Sequence, residues 1–262
     1  MPHACAAKNV LTALEVDRAV AIADALRGGR EVTDAELDLL LPPPWRRASA
    51  QFWTPVAVAR KAAAWLARAG SRRVLDVGSG VGKLCVVGAL TTELSFHGIE
   101  QRPPLVDVAR GLAAMFALGD RVSFQSGKLQ QASFFAHDAL YFFNPFGENV
   151  VQREDWLDVS VELSQERLEK DVWFIERTLR EAPMRTRVVT YHGYGGPLPD
   201  SYHPTVCAPA GTGVLRLWTK IHAETRGRCW LELDDVLPLS VAESALRQPG
   251  NEVEGVKTSP PR

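Results

Sequence analysis

The residues with the clearest chemical potential lie in the run Val74-Leu75-Asp76-Val77-Gly78-Ser79-Gly80-Val81-Gly82-Lys83. An apolar strand enters a turn with glycine at alternate positions and leaves it as a helix. That spacing lets the backbone bend sharply and lets a ligand approach without interference from Cβ atoms. The free amides of the first helical turn can then receive an anionic or polar group. Two familiar glycine loops do not fit. A P-loop needs Gly-x-x-x-x-Gly-Lys-Ser/Thr, and Val77 and Leu84 stand where Gly and Ser/Thr should be. A dinucleotide fingerprint needs Gly-x-Gly-x-x-Gly, but here the third glycine comes one residue early, at Gly82, with Lys83 in its place.

A second signal follows at Phe96-His97-Gly98-Ile99-Glu100, the next strand-like segment. A carboxylate at its end, 22 positions after Gly78, suits acceptance of two hydrogen bonds from the hydroxyls of a ribose. The third signal is Phe142-Phe143-Asn144-Pro145-Phe146 at the end of another apolar strand. In a doubly wound sheet the first and fourth strands are neighbours, and ligands bind beyond their carboxyl ends. Gly78 and Asn144 are therefore expected on one lip of one cleft.

The spacing Asp-x-Gly-x-Gly-x-Gly from Asp76 to Gly82 resembles motif I of the class I, Rossmann-like S-adenosylmethionine-dependent methyltransferases. The resemblance runs from about Gln51 to Ile221. It implies an S-adenosylmethionine cofactor wrapped by Asp76, Gly78, Ser79, Gly80 and Gly82, with Glu100 on the ribose and Gln101 beside it. Gln51-Phe52-Trp53-Thr54-Pro55 looks like the segment that lines the methionine end of the cofactor in amino-methyltransferases, which makes Thr54 a contact. Many members carry Asp or Asn after the third strand to hold the adenine amino group. Here Ser126-Gly127-Lys128 stands there, so adenine falls to Ser126 or to backbone groups around Gly127.

Asn144, Pro145 and Phe146 resemble the Asn-Pro-Pro-Phe/Tyr motif of methyltransferases that modify amino nitrogens, with one proline in place of two. By that resemblance they form the catalytic set: the Asn oxygen and the proline carbonyl accept from the substrate amine, and the aromatic ring stacks on its plane. Glu148, His192 and Tyr194 are candidate substrate contacts, His192 as a proton acceptor and Tyr194 as a pocket wall. Two further readings stay open: a cofactor-binding protein without catalysis, and an NAD-dependent oxidoreductase.

The elements needed to position these groups can be read from periodicity and breakers. Leu11 to Leu26 has an amphipathic pattern ended by Gly28-Gly29, and Thr33 to Glu36 has capping-box spacing before Pro42-Pro43-Pro44. A third helix is expected over Val56 to Ala69, with Thr54 as its N-cap and Pro55 in its first turn. Strands are expected at Arg73 to Val77, Phe96 to Ile99, Val122 to Gln125, Ala139 to Phe143 and Arg187 to Tyr191, with helices between them. Tyr202 to Cys207 and Val214 to Ile221 read as a closing hairpin across a turn at Ala208 to Gly213. The expected fold is α/β: a doubly wound, mostly parallel seven-stranded sheet with a C-terminal antiparallel hairpin, plus N-terminal helices. The expected organisation is an N-terminal helical segment over 1–49, a cofactor-binding domain over 50–222, and a partly disordered extension over 223–262.

Composition sets the outer limits. The 262 residues carry 30 basic and 31 acidic side chains, a formal net charge of −1, which gives no strong nucleic-acid signal. Cys5, Cys85, Cys207 and Cys229 are far apart, so neither a disulfide framework nor a metal site is expected. No apolar run reaches membrane-spanning length, and a cytoplasmic location is expected. The methyl acceptor stays undetermined among a protein side chain, a small molecule and RNA. Of the seven tryptophans, Trp53 and Trp156 are the ones expected near a pocket.

Overall fold

The computed structural model describes residues 12–223. The expectations for Cys5, Leu11, Cys229 and residues 224–262 lie outside the described residues. Three short helices and one longer helix precede the fifth: α1 (Ala13–Arg27), α2 (Asp34–Asp38), α3 (Pro43–Arg47), α4 (Ser49–Phe52) and α5 (Val56–Arg68). Strands and helices then alternate: β1 (Arg73–Val77), α6 (Lys83–Thr91), β2 (Ser95–Glu100), α7 (Pro103–Met115), β3 (Val122–Ser126), β4 (Ala139–Phe143), α8 (Gln165–Glu181) and β5 (Arg187–Tyr191). β6 (Tyr202–Ala210) and β7 (Gly213–Lys220) close the sheet.

The strand order is β3-β2-β1-β4-β5-β7-β6, with β7 antiparallel to both of its neighbours and the remaining pairs parallel. Order reverses between β1 and β4, which places the expected crevice at the ends of those two strands. Alternation along each strand splits the core. Val74, Tyr141 and Val189 face a cluster with α1, α5, α6 and α7, while Leu75, Leu140 and Val188 face a second cluster with α8. Both sheet faces are thus covered, as a parallel sheet requires.

Local chemistry accounts for the element ends. Thr12 and Thr33 each form a capping box with the glutamate three residues on. The Lys220 ammonium donates to the carbonyls of Leu179, Arg180 and Ala182, gathering the open C-terminal end of α8. No helix among the described residues is long and apolar enough to cross a membrane.

Four local expectations are corrected. Thr54 does not cap α5; Pro55 holds the cap position, and Asp34 Oδ1 accepts from the Val56 amide at 3.0 Å from across the chain. Pro42-Pro43-Pro44 ends one helix but also opens α3, since proline costs nothing in a first turn. The hairpin turn is tighter than expected: β6 continues through Pro209 to Ala210, and only Gly211 and Thr212 separate the strands. Pro209 is tolerated because β6 is an edge strand, where a missing donor breaks no ladder. The sequence also marks the N-terminal segment as separate, but Ile22, Leu26, Leu37 and Leu41 share one apolar cluster with α5 and α6. Residue 49 is a change of pattern, not a break in packing.

Candidate active site

A cleft of about 280 Å³ opens beyond the carboxyl ends of β1, β2 and β4. Its floor is the glycine loop. Gly78, Gly80 and Gly82 have φ of +75°, +52° and +78°, a region open to glycine and costly for other residues. A Cβ on Gly78 would stand 2.9 Å from Pro145 Cβ, so the glycine loop and the Asn144 turn are in contact. A Cβ on Gly80 would stand 2.7 Å from the Trp53 ring, which lies over the loop. Gly82 has a different reason for being glycine: a Cβ there would meet the Phe124 ring at 2.5 Å, away from the cleft.

Glu100 forms the opposite wall. It is 6% exposed; Oε2 accepts from the Gly80 amide at 3.1 Å and Oε1 from the Arg102 amide at 2.9 Å. Each carboxylate oxygen keeps a further lone pair for a ligand. Burial raises its pKa above the usual carboxylate range, opposed by the donated amides of Arg102 and Gly80. Gln101 and Gly127 also line the cleft, with Ile99 and Leu129 as apolar walls. Ser126 is exposed and does not line it.

Strand parity sends Asp76 elsewhere. It points to the sheet face that carries Tyr141, beneath the loop, into a small polar cavity shared with Thr54, Ser79 and Lys83. Burial lifts its pKa to about 7, with the Glu100 charge adding to the rise, while the Cys85 thiol at 3.5 Å works against it. Thr54 Oγ1 and the Tyr141 hydroxyl are 3.2 Å apart beside it. Ser79 Oγ is buried there without a partner among the described residues.

The Asn144 turn closes the cleft on the β4 side. Asn144 has φ +39°, and its amide donates to the Gly193 carbonyl at 2.9 Å. The Gly147 amide donates back to the Asn144 carbonyl at 3.1 Å, making a tight Asn-Pro-Phe-Gly turn with proline at its second position. Asn144, Pro145 and Phe146 all line the cleft. A Cβ on Gly147 would meet the Asn144 carboxamide at 2.3 Å, so the small residue gives that side chain its room.

Glu148 also lines the cleft, but its carboxylate is committed. The Arg102 guanidinium grips it through two bonds of 2.9 and 3.1 Å, donates to Asp158 at 3.1 Å, and Glu148 further accepts from the Leu157 amide. Glu148 is thus better placed to hold the 147–163 segment than to meet a substrate. His192 and Tyr194 do not line the cleft. Tyr194 is fully buried, packs on Phe142 and donates to the Pro197 carbonyl. The His192 ring packs on Tyr191, against the hairpin at Gly213, and burial lowers its pKa. Trp53 lines the cleft although only 6% exposed; Trp156 does not, and donates to the Val151 carbonyl. Arg102, Arg167 and Asp171 were not anticipated. Arg102 could have been noticed as a long cation two residues past the strand-end acid.

No protein-family model and no curated relative matches the chain. Among solved structures it is similar to a putative O-methyltransferase from Klebsiella pneumoniae, 13% identical, with a TM-score of 0.50 over 77% of this chain and 97% of that one. It is also similar to a methyltransferase from Geobacter sulfurreducens at 17% identity, TM-score 0.48, over 71% and 95% of the two chains. An RNA methyltransferase from Salinibacter ruber, in complex with S-adenosyl-L-homocysteine, matches at 21% identity and TM-score 0.46, over 70% and 99%. The strand order and the first of these likenesses together establish the architecture. The chain has a Rossmann-like α/β fold, like that of the putative O-methyltransferase.

Proposed function

We propose that the chain is a methyltransferase that uses S-adenosylmethionine and delivers the methyl group to an amino nitrogen. The observation that carries this reading is the joining of three groups at one crevice. A buried Glu100 is bonded to the Gly80 amide, and Gly78 lies against Pro145 of the Asn144 turn.

The residues fit the cofactor. Glu100 offers charged acceptors for two ribose hydroxyls, and Ile99 and Leu129 offer apolar walls for a purine. With neither Asp nor Asn at the end of β3, adenine recognition falls to backbone around Gly127 and to groups on α8 that reach the same cleft, where Asp171 is held by Arg167 and Gln130.

The bound cofactor supplies an electrophilic methyl group on a sulfonium, so the protein's task is orientation. The Asn144 carboxamide oxygen and the Pro145 carbonyl accept the acceptor's N–H groups, and Phe146 holds its plane. That arrangement turns the nitrogen lone pair toward the methyl carbon. A neutral amine needs no base to attack; its extra proton leaves to water afterwards. Arg102 and Arg167, the cations of the cleft wall, are both paired with carboxylates. The cleft therefore offers carboxamides and aromatic rings to its acceptor, which favours an amine over a phosphorylated group.

The test is transfer of a labelled methyl group from S-adenosylmethionine to components of a desalted cell extract. Loss of the labelled product in Asn144→Ala, with S-adenosylhomocysteine affinity held within about threefold, supports the reading. Undiminished transfer by Asn144→Ala contradicts the acceptor assignment. Cofactor binding with no transfer by the unaltered protein favours a non-catalytic binding protein.

A further inference from the structure

Lys83 is the first residue of α6, immediately after the glycine loop, and its side chain is 1% exposed. A cation there is doubly unfavourable: it is removed from water, and it sits at the positive end of a helix. The chain compensates from outside the sheet. The Lys83 ammonium bonds to Asp34 at 2.5 Å, to Asp38 at 2.9 Å and to Ser49 Oγ at 3.0 Å. All three partners come from the α2–α4 stretch.

That stretch leads directly to the cleft. The Trp53 amide donates to the Ser49 carbonyl at 3.1 Å, and the Trp53 indole donates to the Trp45 carbonyl at 2.8 Å. The same indole covers Gly80 so closely that a methyl group could not fit between them. Asp34 also accepts from the Val56 amide, fixing the start of α5 on the other side of Trp53. Apolar residues in place of a buried ion pair are often at least as stable, so stability alone does not account for Lys83 and its carboxylates. Their geometry fixes register between two pieces of chain.

We propose that Lys83 is a positioning residue of the cofactor cleft: held by Asp34, Asp38 and Ser49, it keeps residues 34–53 seated so that Trp53 closes over the glycine loop and retains the bound nucleoside. The proposal rests on the cofactor reading above, and on nothing about the acceptor.

The experiment measures the rate at which tritiated S-adenosylhomocysteine leaves the full-length protein after dilution into unlabelled ligand. Lys83→Met/Asp38→Asn, which removes the cation together with its buried partner, is expected to release ligand about tenfold faster, as is Trp53→Ala. The combined triple variant is expected to release no faster than Trp53→Ala alone, because both changes act through one cover. Leu118→Ala, a core truncation at the amino end of β3, opposite the cleft, controls for stability and is expected to leave release unchanged at a comparable loss of Tm. Asp38→Asn alone, expected to give about threefold faster release, serves if the double variant does not fold. Unchanged release in both Lys83→Met/Asp38→Asn and Asp38→Asn, or additive effects in the triple variant, overturns the proposal while leaving the cofactor reading standing. Failure of the unaltered protein to bind the ligand overturns both.

Discussion

Arg102 and Glu148 are joined by two nearly parallel hydrogen bonds, which tie the turn that holds Glu100 to the turn that holds Asn144. The Arg102 amide meets Glu100 while its guanidinium meets Glu148. One residue thus sets the distance between the proposed sugar-binding carboxylate and the proposed acceptor turn. Asp158 and the Leu157 amide extend the same network to the far end of the 147–163 segment.

Replacing Arg102 with Met strands Glu148 in a mostly buried site. Denaturant unfolding is expected to show a loss of about 3 kcal/mol, the lower end for a broken buried pair because Glu148 and Asp158 keep some contact with water. Arg102→Lys keeps the charge and loses the fork, so about half that loss is expected. Equal stability of Arg102→Met and the unaltered protein would show that the network holds nothing.

Gly78→Ala separates two effects that usually coincide. At φ +75° any side chain costs about 1–2 kcal/mol, and here the new methyl also presses on Pro145. Gly29 has the same φ with open space around its Cβ direction, so Gly29→Ala supplies the backbone cost alone. S-adenosylhomocysteine affinity is expected to fall about tenfold in Gly78→Ala and to hold in Gly29→Ala. Equal affinities in the two variants would deny that contact between the loops shapes the cleft.

Asp76 should make stability pH-dependent in an unusual direction. Its folded pKa, about 7, lies above the ordinary carboxylate value, so between those values the folded state holds a proton that the unfolded chain has released. Stability from this group is complete at low pH and is lost as pH rises toward and through 7. Asp76→Asn is expected to flatten that decline, seen as a smaller fall in Tm from pH 5 to pH 8. Ligand affinity should run the other way. Glu100 accepts hydroxyl protons best when ionised, and its raised pKa means that binding weakens as pH falls into the acid range. A decline in stability of equal slope in Asp76→Asn would remove Asp76 as its cause.

Much of the cleft was legible because short-range rules fix it. Glycine spacing between Gly78 and Gly82 announced a sharp turn, and the neighbouring first and fourth strands of a doubly wound sheet put Gly78 and Asn144 on one lip of the cleft. What the sequence hid were pairings over long separations. Lys83 finds Asp34 and Asp38 49 and 45 residues back, and Arg102 finds Glu148 46 residues on. Neither distance leaves a local pattern. From sequence Glu148 therefore reads as a substrate contact, and the N-terminal helices as a separate piece. Asp76 differs for another reason: its motif position suggests the cleft, while its parity in β1 turns the side chain into the small cavity beneath the loop, which shares Trp53 and Gly78 with the cleft. His192 and Tyr194 lie in a glycine-rich turn that folds back toward the hairpin and α8.

Calorimetric titration with S-adenosylhomocysteine shows whether Glu100 and the glycine loop hold a nucleoside of the S-adenosylmethionine type. One site per chain is expected, with affinity reduced about a hundredfold in Glu100→Leu as its two hydroxyl contacts are lost. No heat of binding for the unaltered protein, or equal affinity in Glu100→Leu, would contradict it.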